Sequence, residues 1–195
     1  MNQYLAKNIL SIDKNYALFV IIGLIVLIKV VHWEKRVQAK VIEVIDGDTV
    51  VVSISGVKER IRLSNIDAPE IGQMARNGSH CTDIGQYSRR YLLKRLTTKN
   101  VHLHWKKRDR YKRILGEIYL KGESINFELI KQGMAVIYWF NVFESKAIGI
   151  KYIEAMSKAR KSYKGIWGVG GFYDPYKFRS KKKSKKQILH QLQCS

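Results

Sequence analysis

The chain has 195 residues, enough for one domain of ordinary size plus extensions. Its 36 Lys+Arg against 16 Asp+Glu give a formal charge of +20, which favours polyanionic partners: nucleic acid or an anionic lipid surface. The two cysteines, Cys81 and Cys194, form no pattern from which a disulfide framework or a zinc quartet could be built.

Residues 1–15 are polar and mixed. Tyr16 to Ile28 then runs without a charge, Lys29 interrupts, and Val30, Val31, His32 and Trp33 complete the segment. A spanning helix wants roughly 20 apolar residues. Lys29 lies near one end, where its head can snorkel, and Tyr16 and Trp33 sit where interfacial aromatics belong. No small-residue cleavage site follows. Residues 16–33 are therefore expected to be an uncleaved membrane anchor, making the protein single-pass. Basic residues on both flanks leave its sidedness open.

From Val37 the texture changes. Val41–Ile45 and Val50–Ile54 are rich in β-branched residues and read as strands, joined by an Asp46-Gly47-Asp48 turn in which Gly47 is available for a positive φ. Arg60 to Ser64 alternates with period two, placing Ile61 and Leu63 on one face and Arg62 on the other. Residues 72–84, with Gly72, Asn77, Gly78 and Ser79, read as a loop. Gly85 to Leu96 reads as a helix, Val101 to Trp105 and Ile114 to Leu120 as strands, and Ser124 to Gln132 as a short helix capped by Ser124 and Gly133. Ile150 to Lys161 reads as a third helix. The segment 171–195 carries Lys181 to Lys186 almost unbroken and is expected to be a disordered basic tail. Three strands, a helix, two strands and further helices suit an α+β fold: a five-stranded OB-type barrel with three helices, preceded by the anchor.

The chemistry concentrates between Ile45 and Glu70. Asp48 lies at a strand start and Asp67 follows another strand. Neighbouring strands are about 5 Å apart, so both carboxylates can reach one hard cation. The Ala68 carbonyl is a further oxygen donor, and Glu70, three residues beyond Asp67, is close enough to act as a base on water. Arg62 lies just upstream, and Arg108, Arg110, Lys112 and Arg113 cluster at a turn. Guanidinium groups can clamp phosphate and offset charge in a phosphoryl transition state. Such parts imply in-line hydrolysis of a phosphodiester. By contrast, His102 and His104 share a strand face without an evident third ligand. Arg89, Arg90, Lys94 and Arg95 could either track a phosphate backbone or form a solvated helix face.

At these residues the sequence resembles the staphylococcal-nuclease-like (thermonuclease) family. Asp46 to Thr49 matches its Asp-Gly-Asp-Thr turn. Arg62, Asp67, Pro69 and Glu70 match its Arg-x-x-x-x-Asp-x-Pro-Glu segment, and Asp109 to Arg113 its Asp-x-Tyr-Gly-Arg turn. Gln132-Gly133 and Gly165-Ile166-Trp167 match later signatures, so the resemblance covers roughly residues 37–170. It implies an OB-fold, Ca²⁺ dependence and endonucleolytic hydrolysis of DNA or RNA by a monomer. By position, Asp48, Asp67 and the Ala68 carbonyl would hold calcium, Glu70 would be the base, and Arg62 and Arg113 would clamp phosphate. Lys112 replaces the glycine before the last arginine, which leaves Arg110 as the other candidate. Tyr138, Trp139 and Phe140 supply aromatics for either base contact or packing. The sequence thus points to a membrane-anchored Ca²⁺-dependent endonuclease. The rival is a non-catalytic OB-type nucleic-acid-binding module on the same tether.

Overall fold

The computed structural model describes residues 18–21, 35–77, 80–139, 146–169 and 174–181. The chain divides into two units, Met1–Glu34 and Lys35–Ser195. In the first unit, residues 18–21 form one helical turn with Leu18, Phe19, Val20 and Ile21 all exposed. Among the described residues no helix is long and apolar enough to cross a membrane. The expected anchor at 16–33 is corrected on this finding: one helical turn spans about 6 Å, far short of a bilayer core. The rest of that segment lies outside the described residues. Membrane attachment through it, and the single-pass placement expected with it, fall with the anchor.

The second unit carries the barrel. Its strands are β1 (Lys35–Val44), β2 (Thr49–Ile54), β3 (Val57–Leu63), β7 (Asn100–Arg108) and β8 (Ile114–Leu120). They form a sheet in the order β3-β2-β1-β7-β8, with the two-residue β9 (Glu123–Ser124) on β8. Parallel pairing of β3 with β8, Ile61 opposite Ile114, closes the five strands on themselves. Strand β1 serves two partners. Lys35–Lys40 pairs with β7 and Lys40–Val44 with β2, with a register shift between Val41 and Glu43. Such a shift bends and twists a strand, which lets one strand turn the corner of a small barrel.

Period-two alternation is strict in β8, where Ile114, Gly116, Ile118 and Leu120 are buried and the residues between them are half-buried. Val41, Val50, Val52, Ile61, Leu63, Leu103 and Ile118 fill the barrel interior. Helix α1 (Ile84–Leu96) adds Leu92 and Leu96 to this core, and α2 (Ile125–Lys131) adds Ile125, Leu129 and Ile130. Buried Asn126 ties α2 to the sheet: its Oδ1 accepts from the Ile118 amide, and its Nδ2 donates to the Ser64 and Gly116 carbonyls. Helix α3 (Lys146–Lys161) packs on α2 through Tyr152, whose ring lies 5.2 Å from that of Phe127.

Within 72–84 the described residues form a strand pair where a loop was expected. Here β5 (Met74–Asn77) pairs with β6 (His80–Asp83), and Asp83 caps α1 by accepting from the Gln86 amide at 2.9 Å. Cys81 in β6 is disulfide-bonded, whereas the spacing of the two cysteines suggested no bridge; Cys194, the other cysteine of the chain, lies outside the described residues. Within the stretch expected as a basic tail, Pro175–Lys181 forms a fourth helix, α4.

Candidate active site

The site forms where β2, β3 and the short β4 (Ile66–Asp67) end together. Asp48 follows an Asx turn in which its amide donates to Asp46 Oδ1 at 2.9 Å. Gly47 is required there by contact, not by a positive φ. A Cβ at Gly47 would stand 2.6 Å from the Ala68 Cβ and 2.9 Å from the Ser88 Cβ. The turn therefore lies directly against Ala68 and α1. On the other side Asn65, at φ 64°, turns the chain from β3 into β4. Strand β4 then pairs with β10 (Val136–Ile137), placing Asp67 opposite Val136.

These turns bring Asp48, Arg62, Asp67, Ala68 and Glu70 together. Asp48 and Asp67 are buried, at 6% and 2% exposure. Asp48 accepts from the Ala68 amide at 2.7 Å and the Thr49 hydroxyl at 3.2 Å. Arg62 bridges the two aspartates, with Nη1 3.0 Å from Asp48 Oδ2 and Nη2 2.8 Å from Asp67 Oδ1. Its Nη1 also donates to the Leu63 and Ile66 carbonyls. Arg62 is thus committed to the carboxylates in this state. Glu70 sits at the rim, with its side chain 37% exposed.

The loop carrying Glu70 is pinned from below. Its amide donates to Gln73 Oε1, its carbonyl accepts from the Gln73 amide, and the Gly72 amide donates to Asp83. Gly85 of α1 touches the Glu70 carbonyl so closely that a Cβ would lie 2.0 Å from its oxygen.

The remaining expected residues are placed differently. Arg113 gives its Nε to Asp109 Oδ2 at 2.8 Å and lies over Tyr111, one residue before the Ile114 that pairs beside Arg62. Its bonds go to that turn and not to the carboxylates. Arg110 also stacks on Tyr111. Arg108 is engaged with Glu59 and the Lys112 carbonyl. On α1, Arg89 donates to the Val44 carbonyl and Arg95 forks onto Glu128, so two of the four cations on that helix hold structure. His104 stacks on Tyr119, which fits a packing role. Trp139, just past β10, is 61% exposed; Phe140 lies outside the described residues.

One residue at the site was missed. Arg179, on α4, donates Nη2 to Asp67 Oδ2 at 2.7 Å and Nη1 to Asp67 Oδ1 at 3.1 Å and Glu70 Oε1 at 2.8 Å. It stands 112 residues from Asp67 in a lysine-rich stretch, where nothing periodic marks it. The only signal was that it is an arginine among lysines, since a planar fork suits bidentate carboxylate contact better than an ammonium does.

Among the described residues no group of three or more His, Cys, Asp or Glu side chains is placed to hold a metal ion. The calcium set expected from the sequence, Asp48, Asp67 and the Ala68 carbonyl, has two carboxylates and forms no such cluster. Two buried aspartates and the rim Glu70 are interleaved with Arg62 and Arg179. The donor chemistry still suits a hard cation, being all oxygen. Burial pushes the Asp48 carboxyl up to about 8; Arg62 and the Ala68 amide lower it, while Asp46 and Asp67 add to the rise. A carboxyl so poorly compensated is one that a further positive charge would hold ionised.

A profile described as "Staphylococcal nuclease homologue" matches residues 60–169. The chain belongs to this family. A Haemophilus influenzae protein named "Uncharacterized endonuclease" is 33% identical over 145 residues, covering 74% of each chain. A "Micrococcal nuclease" of Shigella flexneri is 28% identical over 156 residues, 75% of this chain and 83% of the relative. A "Thermonuclease" of Staphylococcus intermedius is 30% identical over 126 residues, 64% of this chain and 72% of the relative. Family membership supports nuclease activity in general. Asp48 lies upstream of the matched segment.

Proposed function

We propose that this family member binds nucleic acid at the Asp48–Glu70 mouth of the barrel and hydrolyses its phosphodiester bonds there. The observation that carries the proposal is the convergence of Asp48, Asp67, Glu70 and Arg62 on one buried-to-rim position. An ordinary barrel end has no need of three carboxylates in a chain of charge +20. Asp48 and Asp67, with the Ala68 carbonyl, would hold a hard divalent cation. Ca²⁺ is the first choice, as the family resemblance implies. When bound, such a cation supplies charge neutralisation and polarisation at a phosphoryl oxygen.

The chain's own groups would do the rest. Glu70, at the exposed rim, takes a proton from the attacking water. Arg113 clamps phosphate from the neighbouring turn, and Arg62, held between the aspartates, fixes their spacing and faces the same centre. The surrounding positive charge steers a polyanion toward this mouth.

The test is cleavage of single- and double-stranded DNA and of RNA by the full chain, with Ca²⁺ and with chelator. Cleavage should need the cation and fall by about 10²–10⁴-fold in Glu70→Gln. Full activity in chelator, or in that variant, would refute the assignment. A second reading is a binding module without hydrolysis. It is favoured by Arg179 filling the carboxylate site and by the lack of a three-acid metal cluster among the described residues. It would show steeply salt-dependent binding and no products.

A further inference from the structure

The contact between Arg179 and the acid pair has a consequence for how the site is reached. It rests on the metal-site reading above. Asp67 offers two oxygens, and both are taken. Oδ1 accepts from Arg62 and Arg179, and Oδ2 accepts from Arg179. The same Arg179 Nη1 holds Glu70 Oε1. A cation coordinated by Asp67, or a water approached by Glu70, needs the positions that this guanidinium fills.

The two arginines differ in how easily they can leave. Arg62 has a side chain only 14% exposed, with four acceptors from β3, β4 and the aspartates. It is part of the floor. Arg179 is 37% exposed and comes from outside, on a helix of seven residues. A helix that short does not hold together alone in water. Its first turn is capped by Asp174, which accepts from the Tyr176 amide at 2.8 Å, and the Arg179 ion pairs fasten its last turn to the barrel. Charge gives the direction of exchange. A divalent ion brings two positive charges where the Arg179 guanidinium brings one, so the exchange adds compensation at a site with three acidic side chains. The segment also carries Lys177, Lys181 and the lysines up to Lys186, which a nucleic-acid backbone would attract.

We propose that Arg179 is a displaceable latch: it holds Asp67 and Glu70 in the cation-free protein, and helix α4 must release it before a divalent cation is bound there. The apparent affinity for the cation is then reduced by the fraction of molecules in which the latch is closed.

Calcium binding to the full chain, without nucleic acid, tests this by calorimetry on the native protein, Arg179→Ala and Arg179→Lys. Circular dichroism checks that each is folded. Arg179→Ala should bind Ca²⁺ about tenfold more tightly, and Arg179→Lys should fall between, since an ammonium cannot fork onto both carboxylates. In chelator, trypsin should cut after Lys177 faster in Arg179→Ala than in the native chain, and adding Ca²⁺ should speed that cut in the native chain. Equal affinities, or weaker binding by Arg179→Ala, would overturn the latch while leaving the metal site standing. No binding by any of the three proteins would overturn the metal reading and the latch together.

Discussion

Gly85→Ala isolates the link between barrel packing and the proposed base. The added Cβ would lie 2.0 Å from the Glu70 carbonyl oxygen, 2.2 Å from its carbon and 2.5 Å from the Ile71 amide nitrogen. All three are backbone atoms, so no rotamer change relieves the clash. Ordinary contact begins at 3.4 Å, so α1 and the Glu70 loop must part by about 1.4 Å along that direction. In an exposed helix the same change would stabilise by roughly 0.5–1 kcal/mol. Here overpacking costs about 1–3 kcal/mol, and the opposing helix gain is too small to reverse it. A net loss of up to about 2.5 kcal/mol follows. The loop cannot shift freely, because Gln73, Asp83 and Ile84 pin it by hydrogen bonds. Glu70 is therefore carried off position with its backbone. A misplacement near 1 Å costs on the order of 10²-fold in rate. Urea unfolding measures the stability change, and turnover at a temperature where the variant is fully folded measures the rest. Native stability together with native turnover would refute both the close packing and the role of Glu70.

Two further outcomes follow from the charged networks. Replacing Arg62 with Ala strips Asp48 of its cation and the Leu63 and Ile66 carbonyls of a donor, while Arg179 still holds Asp67, which should destabilise the protein in chelator by roughly 1–3 kcal/mol; a urea midpoint in chelator, with partial recovery on adding Ca²⁺, is the check. Glu128 accepts from Tyr91 at 2.5 Å and from Arg95 at 2.6 and 2.8 Å. Burial alone would raise its carboxyl, but the bonds from Arg95 and Tyr91 outweigh this and hold it below the usual range. Its contribution is therefore present above the unfolded value near 4.5 and is lost as pH falls through the lower folded value. With Arg95 35% exposed, solvent screening keeps the amount at or below about 1 kcal/mol. Glu128→Gln should flatten the acid limb of a stability-versus-pH curve, and an unchanged limb would assign that slope to other groups.

The barrel was legible because its signal is local. Val50–Ile54 is rich in β-branched residues and falls within β2, and Arg60–Ser64 alternates with period two, with Ile61 and Leu63 buried. The acid set was legible for a different reason: Asp48, Arg62, Asp67 and Glu70 lie within 23 residues and crowd carboxylates at strand ends. What could not be read was long-range. The contact of Gly85 with Glu70 depends on how α1 seats, and Arg179 reaches Asp67 across 112 residues. Residues 72–84 misled through composition, since Gly72, Asn77, Gly78 and Ser79 favour turns. Yet Met74–Asn77 and His80–Asp83 pair as β5 and β6. The apolar run at 16–33 misled through its hydropathy and its flanking Tyr16, Lys29 and Trp33. Of that run the described residues are 18–21, one helical turn, and no described helix is long and apolar enough to cross a membrane.

Lys112 shows how a departure from a family pattern can leave geometry intact. It stands where the resembling motif has glycine, and its φ is 63°. That is the left-handed conformation glycine adopts without cost and a lysine adopts at about 1 kcal/mol or more. The turn is kept by other means. Asp109 Oδ1 accepts from the Tyr111 and Arg113 amides, the Lys112 amide donates to the Asp109 carbonyl, and Arg108 donates to the Lys112 carbonyl at 2.8 Å. Arg113 is held by this same turn, with its amide and its Nε both bonded to Asp109. Lys112→Gly should relieve the strain while loosening the unfolded chain, so the two effects nearly cancel and stability should change by less than about 1 kcal/mol. Lys112→Val, β-branched at a positive φ, should lose about 1–2 kcal/mol and displace Arg113. Thermal unfolding of both variants reads the first effect, and their nuclease rates at full folding read the second. If Val is tolerated as well as Gly, the turn is not held left-handed, and the placement of Arg113 must rest on Asp109 alone.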